Sequence, residues 1–289
     1  MKYIVTGSTG FLGKALINKL NQLGHNTFSY DITSGYDICN QTQLEDVINL
    51  FKPDAVIHLA AVANLNIYQD DIAIGEKINI GGTRSVLSVC DKHNIRLLFA
   101  STCCAYGNTT EYPSTETSPL CTKEPYALSK IISENDILKS NKSHCCMRLA
   151  TFFGPDMRQA LACGSFMHSI HHETPITLHG SGKQTRTLTY IDDIVSGIIT
   201  IAATPPKYNI VNITTTESVS VLDMIRAAEE CVGKKACIIM GEDREHQTFR
   251  EDISNERLKS LGWKCENTFE EGMKKTYQWY IKNNYRFNC

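Results

Sequence analysis

Nowhere in the 289 residues do as many as about 18 apolar residues run together, so no transmembrane helix is expected. No basic, apolar leader precedes the first strand-like segment, which begins at Lys2 or Tyr3, and no signal peptide is expected either. A surplus of one charge is also missing: 29 Lys and Arg stand against 31 Asp and Glu, a net of −2. That balance argues against a general nucleic-acid or membrane-surface binder. Repeats, low-complexity tracts and an obvious interdomain linker are absent. No CxxC spacing points to zinc, and no metal is expected. Cysteine itself is abundant at 12, but the adjacent pairs Cys103-Cys104 and Cys145-Cys146 lie inside apolar runs. A secreted disulfide scaffold would be smaller and richer in loops. Reduced thiols serving as small core residues in a cytoplasmic protein is the reading adopted.

Strand-like and helix-like segments alternate through the first half. Strands are expected at "KYIVTG", "NTFSYD", "DAVIHLA" (54–60), "IRLLFAST" (95–102) and "CCMRLATFF" (145–153), and helices at 11–23, 41–51, 75–93 and 126–140. Nearly continuous apolar strands separated by helices predict an α/β fold, a doubly wound parallel sheet covered on both faces. After about residue 155 prolines and shorter strands appear. Two units are expected: 1–155, a Rossmann-type dinucleotide domain, and 156–289, a smaller mixed α/β lobe, with the chain free to cross back between them.

"TGSTGFLG" follows the first strand and opens the first helix. Gly7 permits the sharp turn, Gly10 lets backbone approach a pyrophosphate, and Gly13 allows close packing of helix on strand. The helix amino end adds free N–H groups and a favourable dipole. Asp31 ends the second strand, 18 positions past Gly13. A carboxylate there accepts the ribose hydroxyls of NAD and repels the 2′-phosphate of NADP. Asp37-Ile38 follows, placed for an adenine edge. A turn with a capping acid is the bland alternative.

"YALSK" puts Tyr126 and Lys130 at i and i+4 on one helix face. A nearby ammonium is expected to lower the phenol's pKa towards neutrality, making it a base for a sugar hydroxyl. Taken with "HLAA" (58–61), "NIGGT" (79–83), "STCCAYG" (101–107), "FFGP" (152–155), "GKQTRTLTYIDD" (182–193) and "LGW" (261–263), the chain resembles the extended short-chain dehydrogenase/reductases, in the NAD-dependent nucleotide-sugar epimerase/dehydratase family. The resemblance runs from about residue 1 to 280. It implies an NAD site built from Gly7, Gly10, Phe11, Leu12, Gly13, Asp31, Asp37, Ile38, Leu59, Ala60, Ala61, Asn79, Ser101, Tyr126 and Lys130. Thr102 would bond the substrate's 4-oxygen, Tyr126 would be the base and Lys130 its partner. Arg186 would reach the nucleotide phosphates, with Arg244 or Arg250 as a second arginine. Thr151 stands where many 4-epimerases carry asparagine.

The shared step that the resemblance implies is oxidation at C4 of a nucleotide sugar. A 4,6-dehydratase would carry Asp-Glu after the threonine; here the pair is Cys103-Cys104. The first reading is therefore an epimerase, with a UDP-hexose 4-epimerase foremost. A 3- or 3,5-epimerase with 4-keto reduction, using Cys104 as acid/base, is the alternative, and a dehydratase or a non-catalytic NAD-binding protein ranks lower. The Cys104 route also needs a second acid/base from the following lobe; His168, His171, His172 and Lys183 are candidates by availability. Arg158, in the segment 154–166, is a possible substrate contact. Ile78, Val86, Leu87, Ile131 and Ile132 lie on helices that relatives use to dimerise, and a homodimer is expected.

Overall fold

The computed structural model describes residues 1–63, 68, 70–140, 143–242 and 249–284. Its centre is a six-stranded parallel sheet, ordered β2-β1-β3-β4-β5-β9. The strands are β1 (Lys2–Thr6), β2 (Asn26–Tyr30), β3 (Ala55–His58), β4 (Arg96–Thr102), β5 (Cys145–Leu149) and β9 (Ile210–Ile213). Strand alternation sends neighbours to opposite faces. Tyr3 and Val5 join one core with Leu98, Cys145 and Met147; Ile4 joins the other with Leu97, Phe99 and Cys146. The adjacent cysteines at 145 and 146 thus fill two separate layers, fully buried. Burial pushes the Cys145 thiol up to about 12, so it packs as a small apolar group.

Helix α1 (Phe11–Gln22) lays Leu12, Leu16 and Leu20 on the first core, beside the later helix Ile191–Ala203. Helices α2 (Gln41–Phe51), α4 (Thr83–His93) and α5 (Pro125–Lys139) cover the second. A short helix, α3 (Ile72–Glu76), runs into α4 through a π-helical stretch, Lys77–Gly82. Sequence order reverses around β1, so the clefts at the carboxyl ends of β1 and β3 open at a topological switch point, where such sheets bind ligands.

One apolar run was not one strand. Cys145–Leu149 stays in the central sheet, whereas Thr151–Phe153 (β6) pairs with Thr185–Tyr190 (β8) in a three-stranded sheet completed by Ser218–Ser220 (β10). The break falls at Ala150, whose N–H donates to Ile213 O at 3.1 Å and closes the β5–β9 ladder. Nothing in the residue types marks it. Strand β7 (Ile176–His179) pairs in parallel with β11 (Ile238–Gly241). The chain crosses back once: β9 returns to the central sheet after β6 and β8 have left it.

Val86 and Leu87, on a helix expected to help form a dimer, sit in the second core. On α5 the apolar residues that face outward are Leu128, Ile132 and Leu138.

Candidate active site

The glycine turn is held by sterics that no other residue satisfies. Gly7 has φ 68°, and a Cβ there would lie 2.7 Å from Ala60 N; at Gly13 it would lie 2.2 Å from Gly7 O. The Gly7 N–H donates to Tyr30 O, tying the turn to β2. Helix α1 starts at Gly10 without a side-chain cap, so no side chain at the cap position takes its first N–H groups. Ser8 Oγ in this turn and Ser101 Oγ at the end of β4 are buried without a partner, a state that native structures rarely leave unexplained.

Asp31 lies just past β2. Its carboxylate accepts from Thr33 N (3.0 Å), Thr33 Oγ1 (2.9 Å) and Thr9 N (3.1 Å). Burial opposes its charge, but these bonds hold its pKa below the usual range. Three of about four acceptor directions are used within the chain. Asp31 therefore fixes the glycine turn from the end of β2. The exposed Asp37 caps Cys39 N at 2.8 Å, and its own N–H and C=O bond Gln43 and Tyr30. Ile38 is buried in the second core, against Gly82.

On the other side of the switch point, the loop after β3 is pinned from beneath. Thr83 Oγ1 donates to Asn79 O (2.6 Å), so the His58 Nε2–H donates to Thr83 Oγ1 (3.0 Å), and His58 Nδ1 accepts from Thr6 Oγ1 (2.6 Å). Thr6 Oγ1 in turn accepts from Leu59 N and Ala60 N. Burial lowers the His58 pKa to about 3, with Lys130 adding to the effect, so the ring is neutral. Asn79 clamps Val62: its Oδ1 accepts from Val62 N (2.8 Å) and its Nδ2 donates to Val62 O (3.2 Å). Asn79 and His58 shape the floor under Leu59–Ala61. Asn79, expected to line the cofactor, acts by holding this loop.

Opposite stands the chemistry. Glu124 caps α5 through Tyr126 N (3.0 Å) and Ala127 N (2.8 Å), with Pro125 at the first helical position. That start sets where Tyr126 emerges. Lys130, buried, donates to Ala100 O at 2.9 Å and lies 4.7 Å from the Phe99 ring centre and 5.8 Å from that of Tyr126. Burial brings its pKa down to about 7, against the opposing pull of Glu134. Tyr126 departs from expectation. Burial raises its pKa, Cys104 and Glu124 raise it further, and Arg158 alone opposes them. The ammonium spends a proton on the Ala100 carbonyl, and desolvation of the phenolate wins. Thr102 Oγ1 accepts from Cys104 N (3.1 Å). Cys104 is exposed on the turn after Thr102, yet the protein packed around its thiol raises its pKa.

The family model described as the NAD dependent epimerase/dehydratase family matches residues 3–214. The chain belongs to this family. It is an enzyme, and NAD is its cofactor. A UDP-glucuronate 4-epimerase of Thermodesulfobacterium geofontis is 30% identical, covering 97% of this chain and 96% of that one. A putative UDP-glucose 4-epimerase of Methanocaldococcus jannaschii is 28% identical, covering 97% and 99%. The UDP-glucose 4-epimerase of Thermotoga maritima, solved with UDP-glucose, has the same fold at a TM-score of 0.91, with 24% identity over 98% of this chain and all of that one. The residues present fit NAD. The glycine cradle excludes a Cβ, and the orphaned Ser8 and Ser101 hydroxyls lie at the carboxyl ends of β1 and β4.

The other predicted residues of the enzyme separate into two groups. Thr151 on β6 and Arg186 on β8 share the three-stranded sheet, with Thr151 in register with Leu188. Arg186 Nη1 donates to Thr185 O, and its Nε lies 4.0 Å from Glu251. Arg250 is more than half exposed, paired with Asp252 at 3.0 Å and stacked over Tyr112. Arg244 lies outside the described residues. His168 and His172 bond Tyr280, and His171 bonds Tyr277, on α10 (Phe269–Lys282), counted after α6 (Ala162–His171), α7 (Ile191–Ala203), α8 (Val221–Val232) and α9 (Glu256–Lys259). These histidines belong to that helix pair and not to the catalytic cleft. Lys183 is exposed. Sequence reasoning missed the work of His58 and Glu124, and it missed Glu251 altogether. Only Glu124 carried a signal, an acid directly before a helix-starting proline.

Proposed function

We propose that the enzyme is a 4-epimerase of a UDP-hexose, working through a transient 4-keto sugar. The observation that carries this reading is the set Thr102, Tyr126 and Lys130 at the cleft edge, without a carboxylate on the turn that follows Thr102. Thr102 bonds the C4 oxygen. Tyr126 takes the hydroxyl proton and later returns it. Positive charge on Arg158 offsets part of the burial that keeps the phenol protonated. The chemistry that NAD supplies when bound is reversible uptake of a hydride. Epimerisation then needs only that the ketone turn over within the cleft, so no base at C3 or C5 is required. The two relatives named for 4-epimerase activity support the chemistry at C4 and leave the sugar open.

Cys104 favours a second reading, a 3- or 3,5-epimerase with 4-keto reduction, because its thiol is open to the cleft beside Thr102. Turnover in heavy water, read by NMR, separates the two. The 4-epimerase should place no deuterium on carbon, and deuterium at C3 or C5 would transfer the assignment to the Cys104 route.

A cytoplasmic homodimer belongs to the same proposal. Leu128 and Ile132, four apart on α5, leave an exposed apolar stripe with Leu138 nearby, the sort of surface that marks an interface. Sedimentation at micromolar concentration should give twice the 32.3 kDa chain mass; a single-chain mass refutes the dimer. Among the described residues no helix is long and apolar enough to cross a membrane.

A further inference from the structure

Glu251 is an acid that the mechanism does not use. It lies on the extended strap after Phe249, whose carbonyl accepts from Thr185 N at 2.9 Å. The strap also pairs with residue 114: Ser114 N donates to Asp252 O at 2.8 Å, and Ser254 N to Ser114 O at 2.9 Å. Ser218 Oγ donates to Glu251 O at 2.8 Å. Its backbone is therefore fixed from three elements. The side chain turns inward. Oε1 accepts from the fully buried Thr187 at 2.7 Å, and Oε2 lies 4.0 Å from Arg186 Nε.

Two residues on, Ile253 packs with Cys103 in one small apolar cluster. The charge of Glu251 is felt by both Cys103 and Cys104. The carboxyl thus meets the arginine on β8 and is close enough to the turn after Thr102 for its charge to reach both thiols. Burial raises its own pKa, and Thr187 and Arg186 work the other way.

A carboxyl in that place is not needed to hold Arg186, which already bonds the Thr185 carbonyl. It does change what else the cleft accepts. A second carboxylate brought beside a fixed one, away from bulk water, is disfavoured strongly. Hydroxyl groups meet an acceptor there. We infer that Glu251 selects the sugar, admitting an uncharged hexose and excluding a hexuronate. This rests on reading the cleft as a nucleotide-sugar site. Glu251 acts on specificity, not on the bond-making step.

The test is equilibrium binding to the NAD-loaded protein at pH 8, by titration calorimetry, with UDP, UDP-glucose and UDP-glucuronate. Wild type should bind UDP-glucose at least about 30-fold more tightly than UDP-glucuronate. Glu251→Gln keeps the size and an acceptor for Thr187, and it should narrow that ratio at least about tenfold while UDP affinity changes less than about threefold. A wild type that binds UDP-glucuronate as well as UDP-glucose overturns the inference, whether or not the variant folds. So does a variant that weakens all three ligands alike, since that is the mark of a residue that only positions Arg186. If UDP itself does not bind to wild type, the nucleotide-sugar reading fails and takes this inference with it.

Discussion

Replacing Tyr126 by Phe should lower kcat by about 10²- to 10⁴-fold, the usual worth of a positioned proton carrier, with NAD affinity nearly unchanged. The ring would stay where it is. It packs edge-on against Tyr68, 6.1 Å between ring centres, and α5 begins at Pro125 under the Glu124 cap whichever ring follows. Only the hydroxyl is lost, and with it the group proposed to take the proton of the C4 hydroxyl. Burial, reinforced by Cys104 and Glu124, favours the neutral phenol. Wild-type activity should therefore rise with pH, and the residual activity of the variant should lose that limb. The measurement is kcat against pH for both proteins, with NAD titrated separately. A variant within about fivefold of wild type would remove Tyr126 from the proton path and give the role to another group.

Arg148→Met should destabilise the fold by about 3–5 kcal/mol, the cost of leaving half of a buried ion pair. Arg148 and Glu134 are almost wholly buried, and they meet fork to fork: Nη2 to Oε2 at 2.7 Å and Nε to Oε1 at 3.0 Å. Burial opposes the Arg148 charge, but the Glu134 carboxylate overrides it and keeps the guanidinium protonated. From there a network continues. Arg148 donates to Tyr106 OH (3.1 Å), Tyr106 OH donates to Asn212 Oδ1 (2.7 Å), and Asn212 N donates to Glu116 Oε1 (2.9 Å). Glu116 also faces Arg257 at 3.4 Å. The lost guanidinium would strand Glu134, one turn beyond Lys130 on α5. Urea unfolding reads the cost. Adding Glu134→Leu should recover part of it, because an apolar pair replaces an unpaired charge. A cost under about 1 kcal/mol for the single variant would mean that water reaches the pair, and the network would lose its structural role.

What could be read from the sequence was local. The glycine turn, the i and i+4 pairing of Tyr126 with Lys130, and the apolar strands alternating with helices all carry their meaning in short spacings. The covering of the sheet on both faces followed from its nearly continuous apolar strands; the split of Cys145 and Cys146 between the two layers is added by the structure. What could not be read depends on contacts made far along the chain. The ladder closed by Ala150 on Ile213 ends β5 without any breaker residue. The pKa of Tyr126 is decided by how much protein surrounds it, so spacing from Lys130 alone gave the opposite direction. His58 and Thr83 meet only because β3 and α4 pack together. Glu251 comes to Thr187 and Arg186 by a strap with no periodicity, and nothing next to it in the chain announces a role.

The crossing of β9 back into the central sheet means that the two lobes are interleaved and not strung in series. No single cut divides the chain into a whole dinucleotide half and a whole sugar-recognising half: a break after β6 strips β5 of its outer neighbour, and a later break takes β8 along. Shuffling of the kind that swaps modules at one junction is therefore closed to this architecture. New sugar preferences have to arise by substitution within the loops and straps, where a residue such as Glu251 can change without the sheet being reassembled.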